Sequence, residues 1–270
     1  SHSRRPWWST LGIYAGLSLA AFIMVIPLLF SFVTAFKSPQ DFASHSPFAL
    51  PSPPSLASFQ AILTGRVNFG DAIITTLLMV VVMVVGQLVS SVLAAYAFAR
   101  IEFPGREVIF WLFLGTMMIP ASVLVIPLYL MMAKMGLNNT FWGIVLPFVF
   151  ASPYAVFLLR QSFRQIPQEI IDAATMDGAG QIRILFSIVV PVSKPIISTL
   201  VLITVVSQWN SFMWPRIIAA TRPRVLTVAT AALQSQYNAN WTYVMAATTI
   251  ALVPLIALFI VFQRHIVESI

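Results

Sequence analysis

Residues able to do chemistry are scarce in this sequence. It has no cysteine, which removes thiol nucleophiles, disulfides and thiolate-held zinc or iron–sulfur centres. The three histidines, His2, His45 and His265, fall in segments that read as tails or loops, with no partner at metal-ligand spacing. No Ser, His and acidic residue follow an order that suggests a hydrolase. None of the 11 glycines precedes a lysine, so the Gly-x4-Gly-Lys-Ser/Thr loop that cradles nucleotide phosphates is missing. No catalytic residue, metal site or cofactor is therefore expected in this chain. Polar capacity is concentrated in segment 160–194, which holds seven of the 23 formal charges, and in the short run Gln208-Trp209-Asn210-Ser211.

The elements that position these residues follow from composition. Apolar residues make up 59% of the 270 and charged residues 9%. A soluble domain carries about 25% charged residues, so a water-soluble globular domain is excluded, and disorder is excluded by the hydrophobicity. The net charge of +7 fits positive loops at a membrane face better than nucleic acid. Gaps between charges, each long enough to cross about 30 Å of hydrocarbon, predict six helices near 11–36, 72–99, 108–133, 139–160, 195–215 and 241–262. The expected fold class is all-α, a single polytopic transmembrane domain over 1–270, with loop 160–194 between the fourth and fifth spans. The first apolar stretch is too long for a cleaved leader, so none is expected. Lys and Arg number nine in the N-terminus, the loop at 100–107, loop 160–194 and the C-terminus, against six in the other three loops. That bias predicts both termini in the cytoplasm. The first external loop, about 38–70, contains Pro47, Pro51, Pro53 and Pro54 and is expected to have little regular structure.

No Asp, Glu, Lys, Arg or His falls in the middle of a predicted span, which argues against proton-coupled transport. No pair of Gly- or Pro-broken spans in matching halves is apparent, which argues against a stand-alone carrier. Gly86, Ser90 and Ala94 lie four apart, as do Ser91 and Ala95, a spacing that reads as close helix packing rather than a solute path. Trp7, Trp8, Trp142 and Trp241 sit near span ends, as an interfacial belt would.

In loop 160–194 the local signals predict a helix of about three turns near 167–177. Pro167 suits the first turn, Glu169 meets the positive helix end, and Gly178 suits a left-handed residue after the last turn. Ile170, Ala173, Ala174 and Asp177 share one face at helical spacing, and the alanines make it flat enough to enter a groove on another protein. The other reading is a helix lying on lipid, but such helices are normally rich in Lys and Arg, and this one is not.

The run Asp172-Ala173-Ala174-Thr175-Met176-Asp177-Gly178-Ala179, with Ile188-Val189-Val190-Pro191 beyond it, resembles the Glu-Ala-Ala loop of ABC importer permeases. Ala94-Ala95-Tyr96-Ala97-Phe98-Ala99-Arg100 with Phe103-Pro104-Gly105-Arg106 resembles the second-span exit of carbohydrate permeases. Met118-Ile119-Pro120, Ile126-Pro127-Leu128-Tyr129, Gly136-Leu137, Thr140 and Trp209-Asn210-Ser211-Phe212-Met213-Trp214-Pro215 extend the likeness to the third and fifth spans. The subfamily it resembles is the smaller six-helix permease of maltose-type sugar importers. Asp172 stands where the family usually has Glu, and the chain ends at Ile270 without the Gly-rich tail of many relatives, so no tail contact is expected.

The resemblance implies a type I ABC importer permease in the bacterial cytoplasmic (inner) membrane. Its expected partners are a homologous second permease, a cytoplasmic ATPase dimer that binds ATP and Mg, and an extracytoplasmic solute-binding protein, within a lipid bilayer and without nucleic acid. Glu169, Ile170, Asp172, Ala173, Ala174, Asp177 and Gly178 are then the coupling helix that docks in the ATPase. Gln208, Trp209, Asn210 and Ser211 combine an aromatic face with hydrogen-bonding groups and are candidates for the solute pathway; interhelical hydrogen bonding is the other reading of them. The expected function is import of a carbohydrate or similar polyhydroxylated solute. Glycerophosphodiesters remain an alternative, a stand-alone carrier a more distant one, and an embedded enzyme lacks catalytic groups.

Overall fold

In a bilayer a segment must satisfy its own backbone, and a helix does so within one stretch of chain. This sequence accordingly folds into helices joined by short turns. The computed structural model describes residues 7–65, 68–236 and 240–267, with side chains over 10–65, 68–234 and 240–260. The helices in order are α1 (Trp7–Ala35), α2 (Pro39–Ser44), α3 (Ala57–Thr64), α4 (Phe69–Arg100), α5 (Arg106–Gly115), α6 (Ala121–Lys134), α7 (Phe141–Val145), α8 (Pro153–Arg164), α9 (Gln168–Met176), α10 (Gln181–Ile184), α11 (Val190–Val192), α12 (Lys194–Trp209), α13 (Met213–Ile218), α14 (Leu226–Gln236) and α15 (Trp241–Val267). A π-helical turn, Leu185–Val189, joins α10 to α11. No strand occurs among the described residues.

Three stretches are each long and apolar enough to cross a membrane alone: Thr10–Ala35, Phe69–Arg100 and Trp241–Ile260. Three more qualify only as bent pairs. Arg106–Met118 meets Ala121–Lys134 at 100°, Phe141–Phe148 meets Pro153–Arg164 at 41°, and Gln181–Val192 meets Lys194–Trp209 at 81°. Among the described residues the number of candidate spans is therefore three, or up to six with each bent pair counted as one.

The spans expected at 108–133, 139–160 and 195–215 fall on these three bent pairs. Pro120 leads into α6 with ψ 131 and cannot continue the preceding turn, Pro153 opens α8, and Pro195 lies in the first turn of α12. Charge gaps measure only where charge is missing and do not register proline. The fifth expected span also stops early: α12 ends at Trp209, and Met213–Ile218 is a separate helix.

Two units emerge from the internal contacts: Ser1–Gly70 with Ala229–Pro254, and Asp71–Val228 with Leu255–Ile270. In the first unit, the loop expected to lack regular structure contains α2 and α3. Ser38 caps α2 by accepting from the Asp41 amide at 3.1 Å, and Pro39 fills its first turn. Lys37 is fully buried, and its ammonium donates to the carbonyls of Ser46 at 3.2 Å and Pro47 at 3.0 Å. Asp41, also buried, accepts from the Ser52 amide at 3.3 Å and pairs with His45 at 3.0 Å. The prolines of this loop therefore sit on a braced turn rather than an open one.

The second unit is built around one apolar cluster. α4 contributes Val92, Ala95 and Tyr96, α5 contributes Phe110, and α8 contributes Val156, Leu159 and Phe163. Ile171 of α9, Ile184, Leu185 and Val189 of the α10 segment, and Leu200 of α12 complete it. The small-residue stripe of α4 packs as its spacing suggested. A Cβ on Gly86 would run into the side chain and carbonyl of Val149, and the buried Ser91 hydroxyl accepts from the Ser152 amide at 3.2 Å. Trp142 and Trp241 are exposed near the starts of their helices; His265 falls within α15 rather than in a tail, and His2 and the side chains of Trp7, Trp8 and His265 lie outside the described residues.

Candidate functional site

The site forms around α9. Pro167, at φ −54 and ψ 136, is the residue before the helix rather than part of its first turn. Glu169 stands in the first turn, where the helix dipole favours a carboxylate. The far end closes with two hydrogen bonds: the Ala179 amide donates to the Ala174 carbonyl and the Gly178 amide to the Thr175 carbonyl, both at 3.0 Å. Gly178 has φ +80, the left-handed conformation this pattern of bonds requires. A Cβ there would meet nothing within 4 Å, so the demand for glycine comes from the backbone and not from crowding within this chain.

The expected alanine face is divided. Ile171, only 5% exposed, enters the apolar cluster, and Ala174 packs half-buried against the same cluster. Glu169, Ile170, Ala173, Met176 and Asp177 face outward, with Ile170 at 45% and Met176 at 84% exposure. Ala174 thus seats the helix, while Ala173 belongs to the free stripe. Asp172 is exposed, and its carboxylate accepts from the Gln168 side chain at 2.9 Å. Two apolar side chains left in the open beside two inward ones are what a helix docked on both sides would show.

The apolar and charged groups that hold α9 come from distant elements. Arg100, the last residue of α4, donates to the Gln168 side chain at 2.7 Å and to the carbonyls of Phe163 and Ile166. The Tyr96 hydroxyl donates to Gln181 Oε1 at 2.7 Å, a few residues past the other end of α9. Arg160 is buried, pairs with Glu107, donates to the Phe98 carbonyl at 3.1 Å, and lies 3.9 Å over the Phe110 ring.

Residues 87–270 match the family described as binding-protein-dependent transport system inner membrane component. The chain belongs to that family. It is 31% identical, over 95% of its length and 86% of the relative's, to the diacetylchitobiose uptake system permease protein of Streptomyces coelicolor. It is 31% identical to the arabinooligosaccharides transport system permease protein of Halalkalibacterium halodurans, over 94% of this chain and 92% of that one. It is 30% identical, with the same coverages, to an sn-glycerol-3-phosphate transport system permease protein of Yersinia pestis. Its fold matches a chain from the crystal structure of a bacterial ABC transporter involved in the import of the acidic polysaccharide alginate, with a TM-score of 0.84, 24% identity and 98% of both chains covered.

In this permease the four pathway candidates do not converge. α12 ends at Trp209, which is 4% exposed and buried among the protein's own side chains. Gln208 is half-buried, and Asn210 is exposed with its amide nitrogen donating to the Val206 carbonyl at 2.8 Å. The Ser211 carbonyl accepts from the Thr227 hydroxyl at 2.6 Å. Trp209 closes the end of α12, and Gln208 and Asn210 present polar groups beside it. An apolar groove of about 420 Å³ lies near, lined by Leu124, Leu128, Met131, Phe148, Met213 and Trp214 among others. Its lining offers little to a polyhydroxylated molecule.

Arg100, Tyr96 and Arg160 were not singled out by sequence reasoning. Arg160 was read as a span boundary and Arg100 as part of a motif. Their partners lie 53–85 residues away, and no local spacing signals such a contact. Across the described residues, no group of three or more His, Asp or Glu side chains comes together.

Proposed function

We propose that this permease is one transmembrane subunit of an ATP-driven importer for a carbohydrate or similar polyhydroxylated solute. It works in the bacterial cytoplasmic membrane, with six spans and both termini in the cytoplasm. A homologous second permease completes the pathway, an extracytoplasmic binding protein delivers solute, and an ATPase dimer binds ATP and Mg below. α9 is the coupling helix. Its outer stripe of Glu169, Ile170, Ala173 and Asp177 enters a cleft of the ATPase, with Asp172 at the rim and Gly178 allowing the chain to turn away.

The observation that carries this reading is the division of α9. One side is locked into the apolar cluster through Ile171 and Ala174, and the other leaves Ile170 and Met176 in the open. Closure of the ATPase dimer on nucleotide then moves the helix with the spans it is locked to. Taking a two-state permease from 1:99 to 99:1 requires about 5.5 kcal/mol of differential binding, which nucleotide must provide because this chain has no phosphate loop. Bent pairs are present, but they do not test for broken spans in matching halves, the feature whose absence weighs against a stand-alone carrier. The family membership and the outward stripe of α9 support the importer instead. Gln208, Asn210 and Ser211 border the solute path, with Trp209 fixing the end of α12.

A second reading has its own support. One of the relatives is a permease of an sn-glycerol-3-phosphate transport system, so phosphate esters of glycerol, glycerophosphodiesters among them, are a competing solute class. The test has two steps. The permease is purified from its native membrane and its ATPase per permease is measured; expected is a stoichiometric ATPase, and its absence refutes the proposal. The cognate binding protein is then screened by thermal shift against oligosaccharides and glycerophosphodiesters. Stabilisation by the latter alone replaces the carbohydrate with the second class.

A further inference from the structure

α4 is unbroken over 32 residues, whereas three other apolar helix pairs of the chain are bent. Its polar side chains reach the places where other helices begin or break. At its C-terminal end, Arg100 holds Phe163, Ile166 and Gln168, the turn entering α9. One helical turn earlier, Tyr96 holds Gln181, the first residue of α10. Further along, Ser91 accepts from the Ser152 amide and Gln87 donates to the Phe148 carbonyl, on either side of the 41° bend before α8. Near its start, the Thr76 hydroxyl accepts from the amide of Leu226, the first residue of α14, at 2.8 Å.

A helix resists compression along its axis, so a displacement applied at 96–100 reappears at 76–91. The ties meet the first or last turns of other helices and the turns between them: the carbonyls of Phe148, Phe163 and Ile166, the amides of Ser152 and Leu226, and the side chains of Gln168 and Gln181. The grip on α9 is strong by type: a guanidinium donates to two carbonyls and a side-chain amide, with charge-assisted bonds roughly twice the strength of neutral ones.

Accordingly, we propose that Arg100 and Tyr96 are positioning residues that hand the movement of α9 to α4, which delivers it to the bend at 148–152. This rests on the reading of α9 as the ATPase-docking helix. Arg100 and Tyr96 touch neither ATPase nor solute in this scheme. They decide whether movement at the dock reaches the spans.

The chain lacks cysteine, so single nitroxides can be placed at Met176→Cys and, separately, Phe150→Cys. In the assembled importer, ATP with vanadate is added and the spectral change at each label is read. In the parent both labels respond. In Arg100→Lys combined with Tyr96→Phe, copurified ATPase and the response at 176 persist while the response at 150 is lost. Restoring either residue recovers part of it. A full response at 150 in the double variant overturns the proposal. So does loss of ATPase with loss of both responses, which makes the pair builders of the dock and nothing more. In the purified permease without ATPase, the label at 176 should be more mobile in the double variant than in the parent, because α9 is then less firmly seated; equal mobility also overturns the clamp. If no ATPase binds the parent but this loosening is seen, the docking assignment fails and the clamp stands.

Discussion

Two loops of this permease each close on a cation, and they recruit it from opposite distances. In the loop after α1, Lys37 donates to carbonyls nine and ten residues ahead, Ser46 and Pro47. In the loop carrying α9, Arg100 donates to carbonyls 63 and 66 residues ahead, Phe163 and Ile166. Asp41, His45 and Ser52 add ties that are also local to the first loop. The second loop has Ile171 in a cluster built by five other segments, with Tyr96 reaching Gln181 across 85 residues. A loop braced from within can be stiff without informing the rest of the chain. A loop braced from a long, distant helix hands its movement to that helix in the proposed scheme.

The largest effect that could sharpen this contrast is at Ile171. Ile171→Ala removes the apolar anchor of α9 and leaves a cavity, for which about 2–5 kcal/mol is typical of a buried Ile or Leu. Amide exchange should accelerate across 168–178, and copurified ATPase should fall with it. Retained protection in α9 would mean that the polar ties alone seat the helix.

Lys37 provides the opposite case. Lys37→Met keeps the stem and removes the ammonium, taking that donor from the Pro47 carbonyl while the Ser46 carbonyl keeps the Ala49 amide at 2.9 Å, at a cost of about 1–3 kcal/mol. Faster exchange is expected within 38–58 only, with ATPase docking and ATP-driven uptake of the screened solute near parent levels. Loss of docking in this variant would break the comparison, because a self-braced loop would then be transmitting.

At the end of α9 the effect is smaller. Gly178→Val forces a β-branched side chain to φ +80, a cost of about 1–2 kcal/mol, whereas Gly178→Asn, a residue that tolerates the left-handed region, should lose only a fraction of that. Copurified ATPase should rank parent, then Asn, then Val. Since no atom of this chain lies within 4 Å of a Cβ at 178, equal loss in both variants would point to contact with the ATPase rather than backbone strain.

What could be read in advance follows the same division. α9 and its closing glycine were legible because cap, dipole and left-handed signals act within a few residues, and the helix came within one residue of its expected bounds. The separation of Ala174 from Ala173 was not, because both positions sit near the edge of one arc and only the neighbouring cluster decides between them. α2 was legible in principle, since Ser38-Pro39 and Asp41 form a start signal, but the four prolines beyond it suggested an open loop. The bends at 100° and 81° escaped because apolar composition is the same on a straight and a folded path. Arg100 and Arg160 escaped for a different reason. An arginine at the end of an apolar stretch, buried like Arg160 or half-buried like Arg100, has the sequence appearance of a snorkelling one.

The smallest effect tests charge alone at the edge of the second loop. Asp172 is exposed, and its side chain accepts from Gln168 Nε2 at 2.9 Å. Asp172→Asn preserves that acceptor and the size of the side chain, so α9 should keep its exchange protection. What disappears is one negative charge facing the proposed ATPase rim. Exposed ion pairs contribute about 0.2–1 kcal/mol, which corresponds to no more than a few-fold in affinity. Screening shortens from about 10 Å at 0.1 M salt to about 3 Å at 1 M, so the difference between parent and variant should shrink as salt rises. The measurement is ATPase retained by immobilised permease across that range. A deficit in Asp172→Asn that is visible at low salt and gone at high salt places this carboxylate in a rim pair. A deficit that persists at 1 M salt, with exchange in α9 accelerated, would instead make Asp172 part of the internal bracing through Gln168 and Arg100. The charge at 172 would then belong with the ties to α4 and not with the outward stripe.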